Sequence, residues 1–107
     1  MANNYKNAKV DLTTTSVTTL YTCPVSTTAI VNSILVSEDT GNADTITVTI
    51  TNTSIAVFSV FKTKAVGANT TVELLTRPLV IEESEIVKVT AATANRLHVI
   101  ASLLEVS

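Results

Sequence analysis

Between Asp44 and Thr53 threonine stands at 45, 47, 49, 51 and 53, and an aliphatic residue at 46, 48 and 50. A β-strand sends successive side chains to opposite faces, so this spacing puts every hydroxyl on one side and every aliphatic on the other. At 3.6 residues per turn the same order would smear both sets around a helix. Threonine, valine and isoleucine are β-branched, stiff at χ1 and suited to a pleated sheet. The pattern predicts a strand with one face in a core and one that is polar but uncharged. Such a face is soluble, yet another protein can cover it without stranding buried charge.

A chain of 107 residues is long enough for one core and too short for two. Charged residues make up 15% and aromatics 4%, against 46% hydrophobic. The formal net charge of -2, with Lys6, Lys9, Lys62, Lys64, Arg77, Lys88 and Arg96 scattered, argues against nucleic acid as a partner. Apolar runs are too short for a transmembrane helix, so no membrane partner is expected. The opening Met-Ala-Asn-Asn-Tyr-Lys lacks the apolar region of a secretory signal. Cys23 is the only cysteine, which excludes an intrachain disulfide framework. Folding in a reducing cytoplasm is therefore expected.

Strand-like segments recur at 8–12, 17–22, 27–37, 44–52, 54–63, 70–75, 85–91 and 96–105. The run Glu38-Asp39-Thr40-Gly41-Asn42 is a turn, with Gly41 and Asn42 suited to positive φ. Residues 64–69 make a second hairpin-like connection, and Arg77-Pro78 breaks the ladder because proline has no N–H to donate. Residues 91–95 have some helical taste but are too few, and read as a loop. About eight short strands at this spacing predict an all-β, antiparallel β-sandwich of jelly-roll or immunoglobulin-like type. Strand order is not legible from the sequence.

Residues 1–12 are expected to form an N-terminal arm, and 13–107 a single β-sandwich domain. The arm has no apolar anchor at Ala2-Asn3-Asn4, whereas Tyr5, Val10 and Leu12 offer apolar surface and Lys6 and Lys9 positive charge. These five are the candidate interaction residues, on an arm expected to be mobile in a free subunit and ordered against a neighbour. The last strand is apolar on both faces, with Leu97, Val99, Ala101 and Leu103 on one and Ile100 and Leu104 on the other. Such a strand is either central in the sandwich or at a subunit interface.

Chemistry-bearing constellations are scarce. His98 is the only histidine and lies mid-strand between Leu97 and Val99. A serine-histidine-aspartate set is arithmetically possible, but nothing resembles a nucleophile elbow, and a histidine on a sheet face near a rim is the plainer reading. Cys23, ahead of Pro24, reads as a small filler at a strand end. Glu82, Glu83 and Glu85 could join Glu38, Asp39 and Asp44 in a calcium site only if both turns lay at one end of the sandwich. Solvated turns that keep the sheet ends soluble are the simpler expectation. Gly41 and Gly67 stand alone, so there is no phosphate-cradling loop. The aromatics Tyr5, Tyr21, Phe58 and Phe61 are too dispersed to stack bases, and tryptophan is missing. No catalytic, cofactor-binding or metal-ligating residue is assigned.

Thr19-Leu20-Tyr21-Thr22-Cys23-Pro24 followed by Ala29-Ile30-Val31-Asn32-Ser33-Ile34-Leu35-Val36 resembles the opening of small virion structural proteins of tailed bacteriophages. The segments 69–75, 78–81, 85–91 and 95–105 are similar to later elements of the same pattern. The resemblance runs from Leu12 onward and consists of strand signatures with little chemical content. It implies a non-enzymatic β-sandwich of the virion, foremost a head decoration (cement) protein, acting as a trimer on the major capsid protein. A neck, tail or baseplate component, or a host-glycan or receptor-binding module, is the alternative.

Overall fold

The computed structural model describes residues 3–107, and all of its regular structure is β. Nine strands follow in chain order: β1 (Asn3–Leu12), β2 (Thr18–Thr22), β3 (Thr28–Glu38), β4 (Asp44–Thr51), β5 (Val57–Val66), β6 (Thr71–Glu73), β7 (Leu79–Ile81), β8 (Ile86–Ala91) and β9 (Leu97–Val106). They form two antiparallel sheets. The first has the order β1-β9-β3-β6, with β7 also pairing β3, and the second the order β2-β8-β4-β5. β6 pairs with Leu35–Ser37 and β7 with Ala29–Val31, so these two short strands occupy one edge in succession. Counted as one interrupted strand, they complete the eight positions of a jelly roll, which decides between the two sandwich types expected from the sequence.

The alternating strand behaves as its pattern predicts from Thr45 to Thr49, whereas at its end Thr51 is buried and Ile50 only partly so. Ile46 and Val48 are fully buried, while Thr45, Thr47 and Thr49 face outward, half-covered by β5 and β8. Across the core from them lie Ile34 and Val36 of β3 and Leu97, Val99, Ala101 and Leu103 of β9. The Thr47 hydroxyl also accepts the backbone N–H of Thr63 at 3.0 Å, where β5 bulges and Thr63 takes a φ of 48°. A side-chain acceptor here replaces the ladder bond that the bulge interrupts.

Several expectations differ from the structure. Residues 3–12, expected as an arm apart from the sandwich, run as β1 along the whole of β9, from Asn3 opposite Val106 to Leu12 opposite Leu97. An edge strand needs only one apolar face, and Ala8, Val10 and Leu12 supply it. Met1 and Ala2, the rest of that expected arm, lie outside the described residues. β7 was not expected as a strand, because three residues behind a proline give too short a pattern. β5 begins at Val57 rather than 54, because residues 52–56 form a wider turn in which the Asn52 side-chain oxygen accepts the N–H groups of Ser54 and Ala56.

The register also fixes the two ends of the sandwich. Loops 13–17, 39–43, 67–70 and 92–96 gather at one, and loops 23–27, 52–56 and 82–85 at the other. Glu82, Glu83 and Glu85 therefore lie at the opposite end from Glu38, Asp39 and Asp44, so the two acidic turns make no joint site. Nor are all these acids solvated. Glu38 and Asp44 are buried, because their carboxylates accept turn N–H groups that would otherwise be left without partners.

Candidate interaction surface

The outer face of the first sheet is where exposed apolar side chains line up. Register places Tyr5, Leu104, Ile30 and Val80 side by side across β1, β9, β3 and β7. Two rungs along, Lys9, Ile100, Leu35 and Glu73 stand in the same way across β1, β9, β3 and β6. Between these rungs lie Asn7, Ser102 and Ser33. Tyr5 is 79% exposed, Val80 54%, Ile100 42% and Leu35 36%. The second sheet presents mainly threonines and Lys88 on its outer side, with Val57 and Ile86 at one end. The two faces of the sandwich thus differ in emphasis, the second mainly hydroxylic and the first with two rungs of exposed apolar side chains.

Strand alternation divides the five candidate interaction residues. Leu12 is buried, and Val10 packs against the same core. Tyr5 and Lys9 point to the outer face, and Lys9 donates only a long bond to Asn7 Oδ1 at 3.4 Å. Lys6 lies 3.5 Å from Glu105 Oε2, which also accepts the Tyr21 hydroxyl at 2.5 Å. That chain ties β1, β9 and β2 together. Burial, reinforced by the hydrogen bond to Glu105, pushes the Tyr21 phenol far above its ordinary range. Cys23 lies beside Tyr21, fully buried, with Sγ 3.3 Å from the Thr27 carbonyl. Burial pushes its thiol up as well, which works against thiolate chemistry.

Glu73 solves a local problem on this face. Where the edge of β3 changes partner from β6 to β7, the N–H of Ile34 has no strand beside it. The Glu73 carboxylate accepts that N–H at 2.9 Å, the Leu75 N–H at 3.1 Å, and the Ser33 hydroxyl. Burial opposes ionisation here, but the bonds from Ser33, Ile34 and Leu75 outweigh it and hold the carboxyl below its ordinary value.

His98 closes the row at the rim, in the rung Asp11–His98–Ser37. Nε2 lies 3.3 Å from Asp11 Oδ1 and Nδ1 3.8 Å from Asp39 Oδ2. The three residue types of a hydrolytic triad thus share one rung without forming one. Both ring nitrogens face carboxylates, neither is bonded to the Ser37 hydroxyl, and the neighbouring backbone N–H groups belong to ladders. Among the described residues, no three histidine, cysteine or acidic side chains are grouped so as to hold a metal ion. A groove of about 280 Å³ runs between Lys9 and Ile100, and one of about 320 Å³ between Tyr5 and Ser102. Both open onto this same face.

No family model matches the chain, and no curated protein matches it. Among solved structures it is similar to one reported for Bacillus endospore appendages, described as a novel family of disulfide-linked pili. The TM-score is 0.60 at 11% identity, over 99% of this chain and 87% of that one. At that identity the likeness is one of fold: a small all-β protein built on the same plan.

Proposed function

We propose that the chain is a non-enzymatic structural subunit that works as a homo-oligomer within a repeating protein assembly. The observation that carries this is the outer face of the first sheet, where aliphatic side chains of β3, β7 and β9 and the ring of Tyr5 on β1 stand exposed on a subunit whose core is already complete. Support also comes from the pilus protein that shares the fold, since that subunit is part of an appendage. The covalent linkage in that description does not carry over. The one cysteine here is buried and bonded to its own loop, so contacts between copies would be non-covalent.

A finer reading places the subunit in a virion, as a trimeric head decoration protein on the major capsid protein. It rests on the likeness of the segments from Leu12 onward to small phage structural proteins. Sedimentation velocity and negative-stain microscopy of the purified full chain test the general reading, for which oligomers or ordered polymers are expected. A monomer at every concentration overturns it. Co-sedimentation with phage heads stripped of their decoration protein tests the finer one, and failure to bind them overturns that form alone.

A further inference from the structure

We infer that the outer face of the first sheet is closed by the same face of a second copy, about a two-fold axis parallel to the strands. The inference rests on the proposed homo-oligomer and adds which surface is covered, by what, and in which orientation.

The argument begins with register. A two-fold parallel to the strands preserves position along them and reverses their lateral order. Each rung of one copy then faces the same rung of the other, read backwards. In the outer apolar rung Tyr5 meets Val80 and Leu104 meets Ile30. Two rungs along, Ile100 meets Leu35 and Lys9 meets Glu73. Ser102 meets Ser33, His98 meets Ser37, and Asp11 meets Thr71. No rung sets like charges against each other, and every exposed aliphatic named above finds an apolar partner.

The alternative two-fold, across the strands, is poorer. It would place Val80 against Glu73 and Tyr5 against Lys9, which costs an apolar contact and the charge match. Charge complementarity therefore selects the orientation. Lys9 has no carboxylate partner within its own subunit among the described residues, and Glu73 has hydrogen bonds but no cation. Each supplies what the other lacks.

The area is adequate. Strands about 4.8 Å apart, rising about 3.4 Å per residue, make the face of β1, β9, β3 and the β6/β7 edge a patch of about 600 Å². A standard interface covers about 800 Å² per partner, which side-chain relief and the exposed ring of Tyr5 bring within reach. Two sheets stacked this way lie about 10 Å apart with strands nearly aligned, the ordinary geometry of aligned packing. The hydroxylic face of the second sheet stays open for other contacts.

Sedimentation equilibrium on the full chain, with far-UV circular dichroism to verify folding, tests this. The wild type is expected to form dimers or their multiples. Ile100→Asp, on the outer face and away from the core, should keep the β spectrum and weaken association roughly a hundredfold or more. Lys9→Glu should weaken it at least about tenfold and invert its salt dependence, because added salt then screens a repulsion instead of an attraction. Thr49→Asp, on the other sheet, should leave association unchanged. If association survives Ile100→Asp, as trimers or through a sheet edge, the proposed oligomer stands and this face is not its interface. If Thr49→Asp dissociates the oligomer while Ile100→Asp does not, the threonine face is the interface and the assignment is overturned. A wild type that stays monomeric overturns both the face pairing and the proposed oligomer.

Discussion

The carboxylate of Glu38, at the end of β3, accepts the backbone N–H of Asn69 at 3.1 Å from the turn between β5 and β6. The same carboxylate accepts the N–H groups of Thr40, Gly41 and Asn42 at 2.9, 3.0 and 3.1 Å, and the Thr40 hydroxyl. One acid thus organises the β3–β4 turn and fastens it to a turn about thirty residues away in sequence. Turn N–H groups need acceptors once buried, and a carboxylate offers several lone pairs at one point.

This arrangement predicts acid sensitivity. Burial disfavours the charged form of Glu38, but the bonds from Thr40, Asn69 and Gly41 outweigh it and hold the carboxyl down at about 2, against an ordinary 4.5. A folded-state value below the unfolded one means stability that is present above pH 4.5 and lost as pH falls towards 2. Glu73 is lowered too and adds in the same direction. Thermal melts from pH 7 to pH 2 should show Tm falling below about 4.5. Glu38→Gln should have a lower Tm at pH 7 and a flatter acid slope, and an unchanged slope would refute the linkage.

The register of β4 predicts opposite outcomes at nearby positions. Val48 is fully buried between the sheets, so Val48→Asp forces a carboxylate into a site without donors. The cost should be at least about 3 kcal/mol by urea denaturation. Thr49 faces outward opposite Lys88, and Thr49→Asp should stay within about 0.5 kcal/mol of the wild type. Equal losses at both positions would mean a slipped strand.

How much of this was legible varies with the element. The strand at 44–51 is a period-2 pattern that only a sheet explains, so its faces could be read directly. Gly41 has the positive φ its turn suggested, whereas Asn42 does not need one, because Glu38 takes its N–H instead. The polar stretch Asn3–Asn7 hid an edge strand, since such a strand borrows its partner from β9, far away in sequence. The apolar face was half visible, in Ile100 and Leu104. Its other members, Ile30, Leu35 and Val80, become neighbours only through pairings that no local pattern encodes. The same holds for Glu38, whose partners lie in two separate turns.

The edge position of β1 changes what a truncation should do. Removing residues 2–10 takes Ala8 and Val10 from the core margin and strips β9 of one neighbour along most of its length. The exposed β9 edge would carry unpaired N–H and C=O groups beside an apolar face. Tm should drop well beyond the ~5 °C that 1 kcal/mol represents in a chain of this size. A truncated protein that melts like the full chain would mean that residues 3–10 contribute nothing to the sandwich.

The Tyr21–Glu105 pair makes a prediction at the other end of the pH scale. Burial, then the bond to Glu105, raises the phenol above its ordinary 10.0, so the folded state retains that proton. Stability from this group is complete below pH 10.0 and declines as pH rises above it. Ultraviolet titration of the wild type minus that of Tyr21→Phe should show Tyr21 ionising only as the β signal is lost. Ionisation in the folded protein near pH 10 would mean that the phenol is not buried against Glu105.

Ile55 carries the last prediction. It sits in the turn between β4 and β5 with φ 64°, 82% exposed, its N–H donating to the Asn52 carbonyl at 3.0 Å. A β-branched residue in left-handed backbone crowds its own Cβ against the following carbonyl, at about 1–2 kcal/mol. Its exposed side chain recovers little of that within the subunit. Asparagine tolerates the same backbone and suits turns. Ile55→Asn should therefore stabilise the isolated subunit by about 1 kcal/mol in urea denaturation, with an unchanged m-value. A destabilised variant would mean that the Ile55 side chain packs on its own subunit, contrary to its exposure. Val57 and Phe58 are exposed beside it, so this tip is a second apolar spot at the end of the sandwich. If Ile55→Asn also leaves association intact in sedimentation equilibrium, the Ile55 side chain plays no part in holding copies together.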